Sequence, residues 1–483
     1  MKFVLRSVVL EGNTVFSSEE IQAAIASDIG RETDFGGLRA IVNKVSRYYR
    51  DRGYAFARAA LPAQDIVGGV VRVLVLEGRY GQIQAVLDGK PTDIAAPYLA
   101  RLRPGDVIAT GPLERASLLL TELPGYEAVP VVRPSDVVGA GDLEIVLKES
   151  PQYTGSVRLD NHGGDVTGAN RVLASVSRFR NVLPGDQLQF DALVTGGGTD
   201  LITVQYSLPL GGQGWRGSAA LSHSTYKLSD VQNFQDGEFR GSSDVLTLGV
   251  TYPVIRDRRT SLTFHAGLAM GHYKNIRPAA DTERYASMSV PVALRFSQLD
   301  DLGGGGTTFG SATLTAGRIS ERANYLSPAT IGSFFKQSLD VVRLQRLGER
   351  FTGYVRLAAQ RSGDALDSSE RMSAGGANGV RAFPSGEGSA DRGVLAQMEL
   401  RYQSPVAGLQ PYVFFDTADM TRIDAEAGNS DRGLSGRGVG VRWQYQRLSA
   451  DIAAAWAGHT GLTAEQTALL KKPRFWANLN YAF

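Results

Sequence analysis

The sequence predicts two small α+β modules followed by one large antiparallel β-barrel, and three observations carry that prediction. A β-α-α-β-β order occurs twice within residues 1–150. Beyond Pro151 the helical period all but disappears. In its place, strand-length segments alternate between an apolar face and a face rich in Arg, Glu and Gln.

The first module covers residues 1–78. Phe3 to Leu10 reads as a strand that ends at Glu11-Gly12-Asn13-Thr14, and Ser17-Ser18-Glu19-Glu20 supplies a cap and an acidic first turn for a helix through about Asp28. Leu38, Ile41, Val42, Val45, Tyr48 and Tyr49 recur at helical spacing until Arg52-Gly53-Tyr54 stops them. Strands are expected at Ala55 to Pro62 and Val70 to Glu77, ending at Gly78. The second module, residues 79–150, repeats the order: a strand at Ile83 to Leu87, helices at Ile94 to Leu102 and Leu113 to Leu123, then strands at Ala128 to Arg133 and Leu143 to Lys148 around the loop Pro134 to Gly141. Met1 to Leu10 carries charge inside its apolar run and no small-residue cleavage site, so it reads as strand rather than as a secretion leader.

From residue 151 onward, Leu188, Phe190, Ala192 and Val194 oppose Gln187, Gln189 and Asp191, and Ile202, Val204, Tyr206 and Leu208 oppose Thr203, Gln205 and Ser207. The same holds for Met288 to Phe296, for Val394, Met398 and Leu400 against Gln397, Glu399 and Arg401, and for Val439, Val441 and Trp443 against Arg442 and Gln444. A sheet in a water-soluble sandwich alternates too. Here the polar face suits a wet lumen, segments reach about ten residues, and aromatics gather near segment ends, as in a transmembrane barrel. At about 21 residues per strand with its connection, residues 151–483 hold roughly 16 strands, an even number. Closure is required in lipid, where an open edge leaves backbone groups unpaired.

Composition removes other classes. Lys+Arg 51 against Asp+Glu 49 leaves +2, which gives no field for nucleic acid. Mean hydropathy is −0.13, and no run approaches the roughly 18 to 20 apolar residues of a spanning helix. The absence of Cys removes disulfides, thiolate zinc sites and cysteine nucleophiles. Gly contributes 56 residues, about 12% of the chain against about 7% in average usage, which suits many strands and turns. Five histidines, His162, His223, His265, His272 and His459, form no helical ligand pair. Gly303-Gly304-Gly305-Gly306 lacks the Lys-Ser/Thr of a phosphate loop, and no Gly-x-Ser-x-Gly elbow occurs. The expectation is therefore no catalytic residue, no metal site and no cofactor.

Two segments stand out. Ser373 to Pro384, followed by Ser385-Gly386-Glu387-Gly388, is too glycine-rich for a strand and reads as a long loop near 373–393. In Leu409 to Ala418, alternation sends Val413 and Phe415 to lipid and Tyr412, Phe414 and Asp416 to the lumen. The stretch around Val380-Arg381-Ala382-Phe383 resembles the Val-Arg-Gly-Tyr/Phe tip of the inward-folding loop in two-partner-secretion transporters (the TpsB family) and their BamA-like relatives. Phe414-Phe415-Asp416-Thr417-Ala418 is similar to their Phe-x-Asp-x-Gly strand. The resemblance implies a loop lock in which Arg381 pairs with Asp416, supported by Val380, Phe383 and Phe414. Ala382 and Ala418 depart from it, standing where the family favours Gly.

Gly53-Tyr54, Leu61-Pro62-Ala63-Gln64 and Glu77-Gly78 resemble the first polypeptide-transport-associated (POTRA) domain of that family, and the resemblance extends over essentially the whole chain. It implies α+β periplasmic POTRA modules ahead of an outer-membrane barrel. It also implies a secreted exoprotein as partner, captured unfolded and passed to the cell surface without ATP. The terminal Phe483 resembles the signal by which such barrels reach the barrel assembly machinery. The family's plug helix precedes its first POTRA domain, and this sequence begins on that domain's first strand, so a leakier pore is expected. The alternative is an outer-membrane assembly factor of the BamA type; two modules rather than more favour the transporter.

Overall fold

Ser17 caps the first helix through a reciprocal box: the Glu20 amide donates to the Ser17 hydroxyl, and the Ser17 amide donates to the Glu20 carboxylate. The computed structural model describes residues 2–228, 239–277, 282–325, 327–423, 430–459 and 470–483. They divide into two units, Met1–Ser150 with Gly211–Gly214, and Pro151–Leu210 with Trp215–Phe483.

The N-terminal unit opens with β1 (Phe3–Val4), β2 (Ser7–Glu11), α1 (Ser18–Ile25), β3 (Glu32–Thr33), α2 (Phe35–Asp51), β4 (Arg58–Ala60) and β5 (Val70–Leu76). The strand expected over Phe3 to Leu10 is interrupted because its partner changes. The Leu5 amide donates to Arg31 O, whereas the Arg6 amide donates to Gly69 O. The one expected from Ala55 shortens to three residues because the Ala57 amide turns back to Tyr54 O. β2 pairs parallel with β5, as two intervening helices allow, and β4 is antiparallel to β5. Leu5, Val8, Ile21, Val45, Tyr49 and Val73 form the core between sheet and helices.

The order then repeats in β6 (Arg79–Leu87), β7 (Lys90–Pro91), α3 (Ala96–Leu99), α4 (Thr110–Thr121), β8 (Tyr126–Pro134) and β9 (Ala140–Glu149). Here β6 runs parallel to β9 in the order β7-β6-β9-β8. The helix expected over Ile94 to Leu102 is a single turn, since the Leu102 amide closes onto Leu99 O.

The second unit is a closed barrel of β10 (Tyr153–Asp160), β11 (Arg171–Phe179), β12 (Gln187–Thr195), β13 (Asp200–Pro209), β14 (Arg216–Leu228), β15 (Phe239–Arg256), β16 (Thr260–Ile276), β17 (Glu283–Asp300), β18 (Gly306–Ala323), β19 (Gly332–Arg346), β20 (Phe351–Ser362), β21 (Arg392–Tyr402), β22 (Leu409–Arg422), β23 (Ser430–Tyr445), β24 (Leu448–Ala457) and β25 (Arg474–Ala482). Each strand is antiparallel to the next, and β25 closes on β10. The apolar faces point outward, where Phe190, Met288, Leu400 and Val439 are all exposed. No helix among the described residues is long and apolar enough to cross a membrane.

The seam is short. β10 and β25 pair from Ser156–Ala482 to Asp160–Asn478, and side chains prolong it. Asn161 accepts from the Ala477 amide at 2.8 Å and donates to Phe475 O at 2.9 Å, standing in for one more backbone pair. At the other end Gly155 and Phe483 exchange amide–carbonyl bonds of 2.8 Å.

Candidate functional site

The connection between β20 and β21 runs from residue 363 to 391, so it begins well before Ser373, where the glycine-rich stretch marks it in the sequence. Met372 and Ala390 exchange backbone hydrogen bonds of 2.9 and 2.8 Å that close its neck. Beyond the neck the loop knits to itself: the Val380 amide donates to Ala374 O at 2.7 Å, and the Phe383 amide to Val380 O at 3.0 Å. Gly379 is required there, since a Cβ would lie 2.1 Å from Ala374 O. Val380 and Phe383 are fully buried, packed with Phe414, Met420 and Leu434 of the inner wall.

Arg381 is placed by this knot. Its Nε and Nη2 donate to the two oxygens of Asp416 at 2.8 and 2.7 Å, and its own amide donates to Asp416 at 3.0 Å. Nη1 donates to Glu399 at 2.6 Å, and the guanidinium lies 3.6 Å from the Phe414 ring centre. Its carbonyl accepts from the Trp476 indole at 2.6 Å. Asp416 is 0% exposed and Arg381 5%, so the pair is held away from solvent, where a fork–fork geometry counts for most. The inward glycines of β23 make room: a Cβ at Gly436 would meet Ala382 Cβ at 2.6 Å, and one at Gly438 would meet the Phe414 ring at 2.3 Å. The methyl group that distinguishes Ala382 from the expected glycine therefore sits over Gly436.

In the N-terminal unit Glu77 is buried at the end of β5. It accepts from the Thr14 and Val15 amides at 2.6 and 2.8 Å, from the Thr14 hydroxyl, and from the Tyr49 hydroxyl at 3.0 Å. Burial pushes its carboxyl up, but the bonds from Thr14, Val15 and Tyr49 outweigh that and hold it below the usual carboxylate range. Burial, together with the bond to Glu77, raises the Tyr49 phenol. Gln64 bonds both the amide and the carbonyl of Arg72 at 2.7 Å. Gly53 follows α2 with φ of 89°, and the Tyr54 ring packs 5.6 Å from Phe16. Leu61 packs on the core, and the Pro62 carbonyl accepts a 3.4 Å bond from Gln64. At Gly78 a Cβ would lie 2.9 Å from Phe56 O.

Residues 139–443 match the family described as haemolysin secretion/activation protein ShlB/FhaC/HecB, and residues 3–78 match the ShlB-type POTRA domain. The chain belongs to the haemolysin secretion/activation family. It is similar to the heme/hemopexin transporter protein HuxB of Haemophilus influenzae, at 25% identity over 84% of this chain and 73% of that protein. It is also similar to the outer membrane transporter CdiB of Dickeya dadantii, at 24% identity over 94% and 82%. The solved structure of CdiB from Escherichia coli superposes with a TM-score of 0.78, at 21% identity, covering 100% of this chain and 91% of that one, which shows the shared fold. The protein is thus an outer-membrane transporter of the two-partner-secretion family, which secretes exoproteins, with its POTRA domains in the periplasm. The match favours transport over the assembly-factor alternative.

The structure adds to this family's loop region residues that sequence spacing does not pick out. Glu399 receives Arg381 on one side and, on the other, Arg401 at 2.8 Å and Arg442 at 3.1 Å. Arg442 continues to Asp451 at 2.7 Å, which also accepts from Tyr412. The polar faces of β21 and β23 signalled that these side chains point inward. The register that brings them to one carboxylate did not show.

Proposed function

We propose that residues 1–78 and 79–150 act as two POTRA domains that take an unfolded exoprotein in the periplasm, and that residues 151–483 form the pore through which it reaches the cell surface. β2 and β8 each end a sheet, and an extended client strand can add to such an edge by backbone hydrogen bonding with little demand on its sequence. The polar inner wall offers a wet path, and folding of the client outside supplies direction without ATP or any chemistry by the transporter itself. Outer-membrane lipid surrounds the wall, and Phe483, at the seam, is the mark read by the barrel assembly machinery.

In this reading Arg381 and Asp416, with Val380, Phe383 and Phe414 around them, lock the inward loop while the pore is idle. The observation that carries it is a buried guanidinium on a loop, bonded from inside the barrel to two strands at once. The experiment is secretion of the paired exoprotein by cells carrying the full chain, the chain lacking residues 1–150, Arg381→Ala or Asp416→Ala. Loss of secretion in all three, with each barrel still inserted, is the expected result. Wild-type secretion by both point variants would remove the lock, and wild-type secretion without residues 1–150 would remove periplasmic capture.

A further inference from the structure

The outward rows of the barrel finish differently at its two ends. On β17, β18, β20, β21 and β23 the apolar row stops, on the side away from the start of β10, at an exposed basic residue, Arg284, Arg318, Arg361, Arg392 and Arg437, and on β16 it gives way to His272 and then to the exposed Lys274. Register puts each on the lipid-facing side. Lys274 pairs with Arg284, Arg318 with the exposed Met288, and Arg437 with the exposed Phe415. None of the six side chains makes an ion pair or hydrogen bond among the described residues. The opposite rim is built otherwise: exposed Tyr153, Phe351, Tyr445 and Tyr481 lie there, and Arg343 and Arg259 are paired with Asp300 and Asp301.

The POTRA domains precede β10 and lie in the periplasm, so β10 starts at the periplasmic rim and the basic collar belongs to the outer leaflet. Unpaired cations beside hydrocarbon are unfavourable unless they reach the interface, where anionic headgroups attract them. Aromatic belts serve both interfaces of an ordinary barrel, so a collar of guanidinium groups at one rim points to phosphate on that side. Between β18 and β22 the outer wall also carries a groove lined by Leu314, Gln337, Leu339, Arg361, Arg392 and Val394, with Asp419 at its edge. Its floor suits an acyl chain, and its two guanidinium groups suit phosphate oxygens.

We propose that this collar binds the phosphates of the outer-leaflet lipid, and that the groove at Arg361 and Arg392 holds one phosphorylated glycolipid by headgroup and chain together. The inference rests on the outer-membrane placement of the barrel and not on the identity of its cargo. It is tested with the full chain in neutral detergent, by native mass spectrometry against bisphosphorylated lipid A, the same lipid without phosphates, and inorganic phosphate. Retention of the phosphorylated lipid about tenfold above the dephosphorylated one is expected, with no displacement by inorganic phosphate at equal concentration. Arg361→Gln with Arg392→Gln is expected to lower retention about tenfold while the heat-modifiable mobility of the folded barrel is unchanged. Equal retention of the two lipids by the wild-type protein overturns the proposal without needing any variant. So does unchanged retention by the double variant, and displacement by inorganic phosphate overturns a lipid-specific site.

Discussion

Glu77 in the N-terminal unit and Asp416 in the barrel are both carboxylates buried where a loop must be fixed, yet they are satisfied by opposite means. Glu77 is surrounded mainly by neutral donors, the Thr14 and Val15 amides and the hydroxyls of Thr14 and Tyr49, with the half-exposed Arg79 at 3.2 Å. Asp416 faces a full guanidinium that Glu399 shares. The contrast follows from where each unit keeps its apolar side chains. In the first module Val71, Val73 and Val75 point into the core, so a charge there is met by the few polar groups that chain ends and helices provide. In the barrel valines such as Val394, Val413 and Val439 point outward, and beside the apolar patch of Phe383, Phe414 and Leu434 the interior carries the ions Arg381, Glu399 and Arg442. Neutral donors make an anchor that depends on pH, whereas an ion pair makes one whose halves are costly apart.

The largest effect is therefore expected in the barrel. Asp416→Ala leaves Arg381 buried against Glu399 alone, a loss of about 3–5 kcal/mol at the loop by the usual cost of breaking a buried pair. The measurement is single-channel conductance in planar bilayers, where frequent opening to a larger state is expected. The double replacement Arg381→Met with Asp416→Leu removes both charges and should open less often than either single variant. If it opens more, the pair holds the loop by more than mutual neutralisation. Next in size is Gly436→Val, whose side chain must displace Ala382, at about 1–3 kcal/mol for overpacking. Ala382→Gly in the same chain should restore wild-type conductance, and failure to do so would show that the inner wall moves instead of the loop.

Glu77→Gln probes the other half of the contrast, at about 1.5–3 kcal/mol for hydrogen bonds to a charged acceptor. The folded carboxyl titrates below its usual value, so its stabilisation is complete above the unfolded value of about 4.3 and is lost as pH falls through the folded one. Hydrogen exchange at Thr14 to Phe16 in the full chain should differ between wild type and variant by a constant factor well above the unfolded value, and the gap should narrow as pH falls below it. A gap that persists in acid would show that shape rather than charge holds the opening turn.

How far the sequence could be read follows from what period-two alternation encodes. It tells which face of a strand a residue occupies, so the lumenal positions of Tyr412, Phe414, Asp416, Glu399 and Arg442 and the outward positions of Val439 and Met288 were legible. It carries no information on stagger around the barrel, which decides which inward residues meet. Hence Glu399 as the second partner of Arg381, Gly436 as the seat of Ala382 and Asn161 as an extra rung of the seam were not legible. In the modules the helical period located α2 and α4 well. It failed at Ile94 to Leu102, where a turn competes, and at Phe3 to Leu10, where the strand changes partner midway.

The smallest expected effect tests whether the barrel anchor has a neutral component as well. Trp476 lies on the last strand, with its ring edge-on to His162 at 5.6 Å and its indole N–H on the Arg381 carbonyl. Trp476→Phe keeps an aromatic ring in that place and removes the donor, a loss of about 0.5–1.5 kcal/mol for one hydrogen bond. If that bond holds the loop tip, the open-state population should rise by about two- to thirteenfold, far less than for Asp416→Ala, because no charge is stranded. The two variants should then be close to additive, since Trp476 binds the backbone of Arg381 and Asp416 mostly its guanidinium. Strong non-additivity in a double-mutant cycle would mean that the ion pair and the indole act as one unit, and that loop position and seam closure are set together.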